Sequence, residues 1–269
     1  MMDLKEIATE IRKIALESIY QARSGHPGGS LSIADILAVL YFDEMNFDGQ
    51  NPDDKNRDRF ILSKGHACPA YYGALALKGV FPREEALKLR KVGSFMEGHP
   101  DARQPGIDAP SGSLGMGLSQ GIGMALGAKY QNLSYRTYVL LGDGDMQEGN
   151  SWEAFMLAPF QKLDNLVAIY DANGLQGDDS VSAQLDLGDV PAKLKAFGWH
   201  VLEVDGHDVD ALKEAFAAAR KTKGQPTFVF AKTVKGKGIS FMENVISWHG
   251  SSTMSAQEIK ESLAELAEV

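Results

Sequence analysis

The sequence predicts an α/β fold: a doubly wound parallel sheet with helices on both faces. Three observations carry that prediction. Strand-like apolar runs and amphipathic helical segments alternate along nearly the whole chain, the pattern that wraps helices around a parallel sheet. The stretch from Thr137 to Leu175 reads as strand, turn, helix and strand, the length of one βαβ unit. At 269 residues the chain can bury a full core, and no repeat, low-complexity tract or linker divides it. Residues 1–269 are therefore expected to form a single domain.

Leu4, Ile7, Ala8, Ile11, Ile14, Ala15 and Ile19 recur at helical spacing and predict an amphipathic helix over 3–23. It stops at SGHPGGS, where Gly25, Pro27, Gly28 and Gly29 predict a loop. Ser32 with Asp35 resembles a capping box opening the helix IADILAVLYF. A polar connection from Asp48 to Asp58 leads to RFILSKGHA, a short strand ending in a polar turn. Residues 69–79 read as helical, and FPREEALKLRKV as another helix with Pro82 near its first turn. Residues 93–117 carry many turn formers and no apolar period, and an unstructured stretch that long is usually functional. The Gly/Ala-rich helix GLSQGIGMALGAKY follows; no strand precedes its glycines, which argues against a dinucleotide fingerprint. In the central unit Pro159 predicts a kink near Phe155 to Pro159. Beyond it come the strand FGWHVLEVDGH, a helix from Val209 to Thr222 and the strand PTFVFAKTV. The chain closes with the loop KGKGISFMENVISWHG and the helix SAQEIKESLAELAEV, capped by Ser255 with Glu258 three residues on.

The composition excludes several classes of function. A net charge of −9 argues against a nucleic-acid or anionic-membrane surface, so any anionic ligand needs a local cluster or a metal. The single cysteine, Cys68, rules out an internal disulfide framework and fits a reducing compartment. The N-terminus has no signal-peptide core, and no apolar run approaches the length of a membrane span. The expectation is a cytoplasmic protein.

The central unit carries the chemistry. A right-handed crossover makes its two strands parallel, so Asp143 and Asn173 emerge at the same, C-terminal edge. If the strands are neighbours, about 4.8 Å apart, both side chains reach one cation. Gly142 and Gly144 leave room for a ligand's oxygens at the backbone. A carboxylate, an amide oxygen and the oxygens of an anion suit Mg²⁺ or Ca²⁺. Four of the six histidines, His26, His66, His99 and His249, lie in Gly-rich or strand-terminal loops, where α/β folds place ligands. His200 and His207 flank a strand and read as structural. Lys64 and Lys232 end apolar runs and face a diphosphate on this reading, whereas Lys235 and Lys237 read as loop surface. The histidines are too scattered for a usual zinc motif, DGDMQE lacks the EF-hand glycine, and there is no Walker A sequence.

GDG followed about thirty residues later by Asn resembles the diphosphate-binding motif of thiamine diphosphate enzymes. The set SGHPGGSLS, RDRFILSKGHACPA, EGHP, GSLGMGLSQGIGMA, GDGDMQEGNSWEA, KLDNL, DANGLQ, AFGWHVLEVDGH and AKTVKGKGISFME…SWHG, in that order, resembles the N-terminal domain of transketolases over nearly the whole chain. The resemblance implies the thiamine diphosphate-binding fold of the diphosphate-holding type. It implies that Asp143, Asn173 and the carbonyl of Leu175 hold Mg²⁺ or Ca²⁺. Lys64, His66, Gly142, Gly144, Lys232 and His249 would contact or flank the diphosphate. Gly112, Ser113, Leu114 and Gly115 would line the thiazolium and aminopyrimidine. His26 and His99 would face the ketose and, with His249, count as catalytic. Glu148 matches a family glutamate near the dimer interface.

The implied reaction is transfer of a two-carbon ketol unit from a ketose phosphate to an aldose phosphate, as in the pentose phosphate pathway. In transketolases the cofactor lies between this domain and a pyrimidine-binding domain that follows it; that domain and the C-terminal domain are not recognisable here, and WHGSST replaces the usual continuation. The expectation is therefore a split enzyme, with a partner chain supplying the missing part in a heterotetramer of two chains of each kind; a truncated transketolase reads the same way. The rival readings are a subunit of a 2-oxo-acid dehydrogenase-type enzyme and a non-catalytic metal- or phosphate-binding module.

Overall fold

The computed structural model describes residues 2–250 and 253–268. Ser251 and Ser252 of the WHGSST stretch lie outside the described residues. The strands are β1 (Arg59–Leu62), β2 (Thr137–Leu141), β3 (Leu166–Ala172), the short pair β4 (Leu175–Gln176) and β5 (Asp179–Ser180), then β6 (His200–Asp205) and β7 (Thr227–Lys232). The helices are α1 (Leu4–Ala22), α2 (Pro27–Leu31), α3 (Ala34–Val39), α4 (Cys68–Leu77), α5 (Arg83–Ala86), α6 (Gly117–Gln131), α7 (Asp143–Met146), α8 (Gly149–Phe160), α9 (Val181–Leu185), α10 (Val190–Phe197), α11 (Val209–Lys221) and α12 (Ala256–Glu265).

Five strands form one parallel sheet in the order β1-β2-β3-β7-β6, and β4 with β5 makes a small antiparallel ribbon. The central strands β2 and β3 are buried on both faces, and the strands' period of two divides the core. Phe60, Leu62, Tyr138, Leu140, Val167, Ile169 and Val229 join α1, α3, α4 and α11 on one side. Ile61, Val139, Leu141, Leu166, Ala168, Tyr170 and Phe228 join α6, α8 and α10 on the other. This is the doubly wound α/β fold that the alternation predicts. Among the described residues no helix is long and apolar enough to cross a membrane.

The order of the strands reverses where β7 inserts between β3 and β6, and such a switch point opens a crevice at the carboxyl ends of the strands. β2 and β3 pair directly, so Asp143 and Asn173 do emerge side by side.

Several local expectations give way to tertiary partners. SGHPGGS is not a plain loop: Pro27–Leu31 form α2, with Pro27 in the first turn, where its fixed φ suits a helix. Its glycines serve close packing, since a Cβ at Gly28 would sit 2.9 Å from the Trp248 carbonyl oxygen and 3.0 Å from Lys235 Cγ. Ser32 and Asp35 do not cap α3, whose N-cap is Ile33 without a side-chain bond. Ser32 Oγ instead donates to Asp171 at 2.9 Å, and Asp35 pairs with Arg12 and His207. α3 runs on into a wider π-helical turn, Leu40–Glu44. The helix expected from Phe81 to Val92 shrinks to α5, because Arg90 turns left-handed (φ 56°) and gives its N–H to Met96 O at 2.7 Å. Pro159 lies in the last turn of α8. A proline there leaves the Phe155 carbonyl without its helical donor, and the Trp199 indole supplies one at 2.8 Å. The capping box of Ser255 and Glu258 is present as expected.

Candidate active site

The carboxyl ends of β1, β2 and β3, with the segments packed over them, deliver polar groups to one cleft of about 260 Å³. β1 delivers Lys64 and His66, β2 delivers Gly142, Asp143 and Gly144, and β3 leads to Asn173 and Leu175. The α1–α2 junction adds His26 and Gly29, and the long 93–117 stretch folds over to add His99, Gly112 and Leu114. His249 arrives from the tail. Twelve of the fifteen residues singled out in the sequence, these minus Gly29, thus line a single wall.

Three do not. Ser113 and Gly115 belong to the same loop but stand back from the cleft. Lys232 is exposed at the end of β7 and lines a separate recess beside Glu203 and His207. The lysine that this segment brings to the cleft is Lys235, which the sequence reads as surface; it is 2% exposed. After β7 ends at Lys232, the turn through Thr233 and Val234 carries residue 235 back over the sheet edge.

The cleft holds its positive charge in two different ways. Lys64 Nζ is 2.5 Å from Asp171, donates to Gly29 O at 2.7 Å and is neutralised in place. Burial alone would push the Asp171 carboxyl up, but the Lys64 ammonium and the hydroxyls of Thr233 (2.5 Å) and Ser32 hold it below the usual range. Among the described residues Lys235 has no carboxylate partner. Its Nζ donates to Leu175 O at 2.8 Å and meets His249 Nδ1 at 2.7 Å. Burial, then the neighbouring Lys64, lowers it to about 8, so an entering anion would find a poorly neutralised cation.

Asp143 supplies the opposite charge. Its Oδ1 accepts the Tyr170 hydroxyl at 2.6 Å, while the buried Oδ2 has no partner among the described residues. Burial, opposed by that bond and reinforced by Asp171, pushes the carboxyl up to about 7. An orphaned carboxylate oxygen beside the amide of Asn173 and the carbonyl of Leu175 is an oxygen-only donor set fit for a hard divalent cation. Asn173 is oriented for this: its Nδ2 donates to Asp171 at 2.9 Å, and its Oδ1 accepts from the Leu175 N–H at 3.2 Å. At Gly144 a Cβ would come within 2.7 Å of Leu114 Cδ1, so a larger residue would have to push the Leu114 side chain aside where the two walls meet.

The imidazoles form a second cluster. The ring centres of His26 and His66 are 5.0 Å apart, those of His66 and His249 5.4 Å, and those of His26 and His249 5.9 Å. Burial, followed by Arg90, lowers His26 to about 4; burial, followed by Lys235, lowers His249 to about 4. Burial and Lys64 take His66 well below its ordinary value, and burial and Arg90 lower His99. These rings are neutral at pH 7 and can accept protons. The buried Nδ1 of His26 has no partner among the described residues.

Sequence reasoning passed over two carboxylates that build the site. Asp171 ties four segments together through Lys64, Ser32, Thr233 and Asn173. Asp145 accepts from Ser63 Oγ at 2.5 Å and from the amides of Gly115 and Gly142 at 2.7 and 2.9 Å. A charged residue inside the apolar run LVAIYDA was the available signal for the first; nothing local marks the second.

Residues 4–267 match the family described as transketolase, thiamine diphosphate binding domain. The chain is 42% identical over 266 residues to the 6-deoxy-6-sulfo-D-fructose transketolase subunit SqwG of Clostridium sp. (strain MSTE9), covering 98% of this chain and 96% of that one. It is 44% identical over 267 residues to the transketolase of Pongo abelii, covering 98% of this chain but only 42% of that protein. Among solved structures, transketolase from Leishmania mexicana superposes with a TM-score of 0.93 at 33% identity, over 99% of this chain and 42% of that one. The chain spans about two fifths of the length of these two transketolases.

Proposed function

Because the chain belongs to the transketolase family, through that family's thiamine diphosphate binding domain, we propose that it is the diphosphate-holding subunit of a split transketolase. The observation that carries this reading is the cleft itself: a carboxylate oxygen and a buried lysine that lack, respectively, any partner and a carboxylate partner among the described residues, with a set of neutral imidazoles at the same sheet edge. The two-chain organisation is supported by the relative named as a transketolase subunit, which the chain matches over nearly its whole length.

On this proposal Asp143, Asn173 and the carbonyl of Leu175 hold Mg²⁺, with Ca²⁺ an acceptable substitute for an oxygen-only set. Lys235, His66 and His249 flank the diphosphate, while Lys64 stays committed to Asp171. Bound thiamine diphosphate supplies the carbanion chemistry that makes and breaks the carbon–carbon bond. The chain's own residues orient it: Gly112 and Leu114 shape the wall, and Gly142 and Gly144 admit its oxygens. His26 and His99 face the ketose phosphate and move protons to and from its hydroxyls, which their neutral state permits. The partner chain provides the pyrimidine-binding domain, in a heterotetramer in the cytoplasm.

His26→Ala is expected to leave thiamine diphosphate affinity within about twofold while slowing turnover of the assembled enzyme by roughly 10²-fold, the scale of one positioned acid–base group. Calorimetry and steady-state kinetics on the same preparation separate the two quantities, and full turnover would remove His26 from the role. The proposal as a whole is tested by recovering the chain from its source cells and assaying ketol transfer between sugar phosphates. Activity found only when a co-purifying second chain is present supports the split enzyme. Full activity from this chain alone, or none from any combination, overturns it.

A further inference from the structure

Arg12, Asp35 and His207 stand outside the cleft and have no part in the proposed reaction, yet they form a line of contacts that ends behind Lys235. Arg12 of α1 and Asp35 of α3 make a buried ion pair, and Arg12 Nε also donates to Leu31 O at 3.3 Å. Asp35 Oδ2 lies 2.7 Å from His207 Nδ1, and His207 Nε2 accepts the Val234 N–H at 2.9 Å. A ring nitrogen that accepts carries no proton, so the proton sits on Nδ1, where the carboxylate takes it. Burial would raise Asp35, but His207 and Arg12 hold its carboxyl below the usual range, ready to accept.

The segment that His207 grips leads directly into the cleft. Thr233 N–H bonds Ala172 O at 3.3 Å, Thr233 Oγ1 bonds Asp171 at 2.5 Å, and Gly236 N–H bonds Gly28 O at 3.0 Å. Between these anchors, the Val234 amide is fixed by a side chain, the His207 ring. Lys235 is the next residue, and it reaches its position through a gap that Gly28 leaves open. We infer that His207 is a positioning residue, which sets the Val234 backbone and thereby the reach of Lys235 toward a bound diphosphate. The inference rests on the cofactor reading above and adds to it a control that starts on the far side of the sheet edge, in a recess of its own.

The shapes of asparagine and glutamine separate positioning from bulk. Asparagine at 207 places its amide near Nδ1 and reaches Asp35 but not Val234; glutamine places its carboxamide oxygen near Nε2 and can still accept the Val234 N–H. Calorimetric titration of the full chain with Mg²⁺ and inorganic pyrophosphate, repeated with thiamine diphosphate, gives the readout. Expected are an approximately tenfold loss of pyrophosphate affinity in His207→Asn and a return to within about twofold of the parent in His207→Gln. Lys235→Gln should weaken binding, and adding His207→Asn to it should cost no more than about twofold further, because both changes act through one contact. Melting curves recorded alongside confirm that each variant folds. Parental affinity in His207→Asn, equal losses in the Asn and Gln variants, or losses that multiply in the double variant would each overturn the inference. Failure of the unmodified chain to bind either probe would instead overturn the cofactor reading and this inference with it.

Discussion

Asp143→Asn is expected to lower Mg²⁺-dependent affinity for thiamine diphosphate by at least about a hundredfold, or about 2.7 kcal/mol, while leaving the ligand-free chain at least as stable as the parent. Of the three oxygen donors at the proposed cation site only Asp143 carries charge, and its Oδ2 is buried without a partner among the described residues. A cation would satisfy that oxygen; without one the folded chain pays for the charge, which is why burial drives the carboxyl up to about 7. Asparagine keeps the shape and can still accept the Tyr170 hydroxyl, so it removes the ligand charge and the desolvation cost together. Calorimetry with and without Mg²⁺, paired with urea unfolding, separates the two effects. Unchanged affinity would take Asp143 out of the metal site, and loss of stability would mean that its carboxylate is structural.

The second large effect concerns stability. Lys64→Met should destabilise the chain by about 3–5 kcal/mol, the usual cost of leaving one member of a buried ion pair without the other. The side chains of Lys64 and Asp171 are 3% and 0% exposed, so water cannot compensate for the lost ammonium. Removing both charges with Lys64→Met/Asp171→Asn should recover at least half of the loss, because an amide oxygen in the Oδ2 position still accepts from Ser32 while the amide nitrogen donates to the Thr233 hydroxyl. Urea unfolding of the parent, single and double variants gives the comparison. A single variant within about 1 kcal/mol of the parent would mean that the pair's charge contributes nothing that its hydrogen bonds do not.

What was legible in the sequence was whatever is encoded locally. The βαβ unit fixes the relation of Asp143 to Asn173 within forty residues, continuous apolar runs marked the principal strands, and helical spacing marked α1. The failures share a physical cause: partners distant in the chain. Ser32 and Asp35 fit a capping pattern, but Asp171 lies 139 residues from Ser32, and His207 lies 172 residues from Asp35. Lys232 and Lys235 differ only in what a turn does after a strand, and the turn is set by Gly28, Ala172 and His207, none of which is near in sequence. The insertion of β7 between β3 and β6 is likewise a matter of sheet order, which no periodicity encodes.

Asp145 has a consequence for kinetics. One carboxylate staples Gly115, and with it the end of the 93–117 stretch, to the tips of β1 and β2. Gly115 is left-handed (φ 82°), and a Cβ there would lie 2.4 Å from Glu148 Cβ, so the loop also meets the start of α8 closely. The floor of the cleft is thus ordered during folding, and its loss of chain entropy is already settled when a ligand arrives. On the proposed function, thiamine diphosphate is expected to enter without a slow rearrangement of this loop, and the lifetime of its complex to be set by how quickly its contacts break.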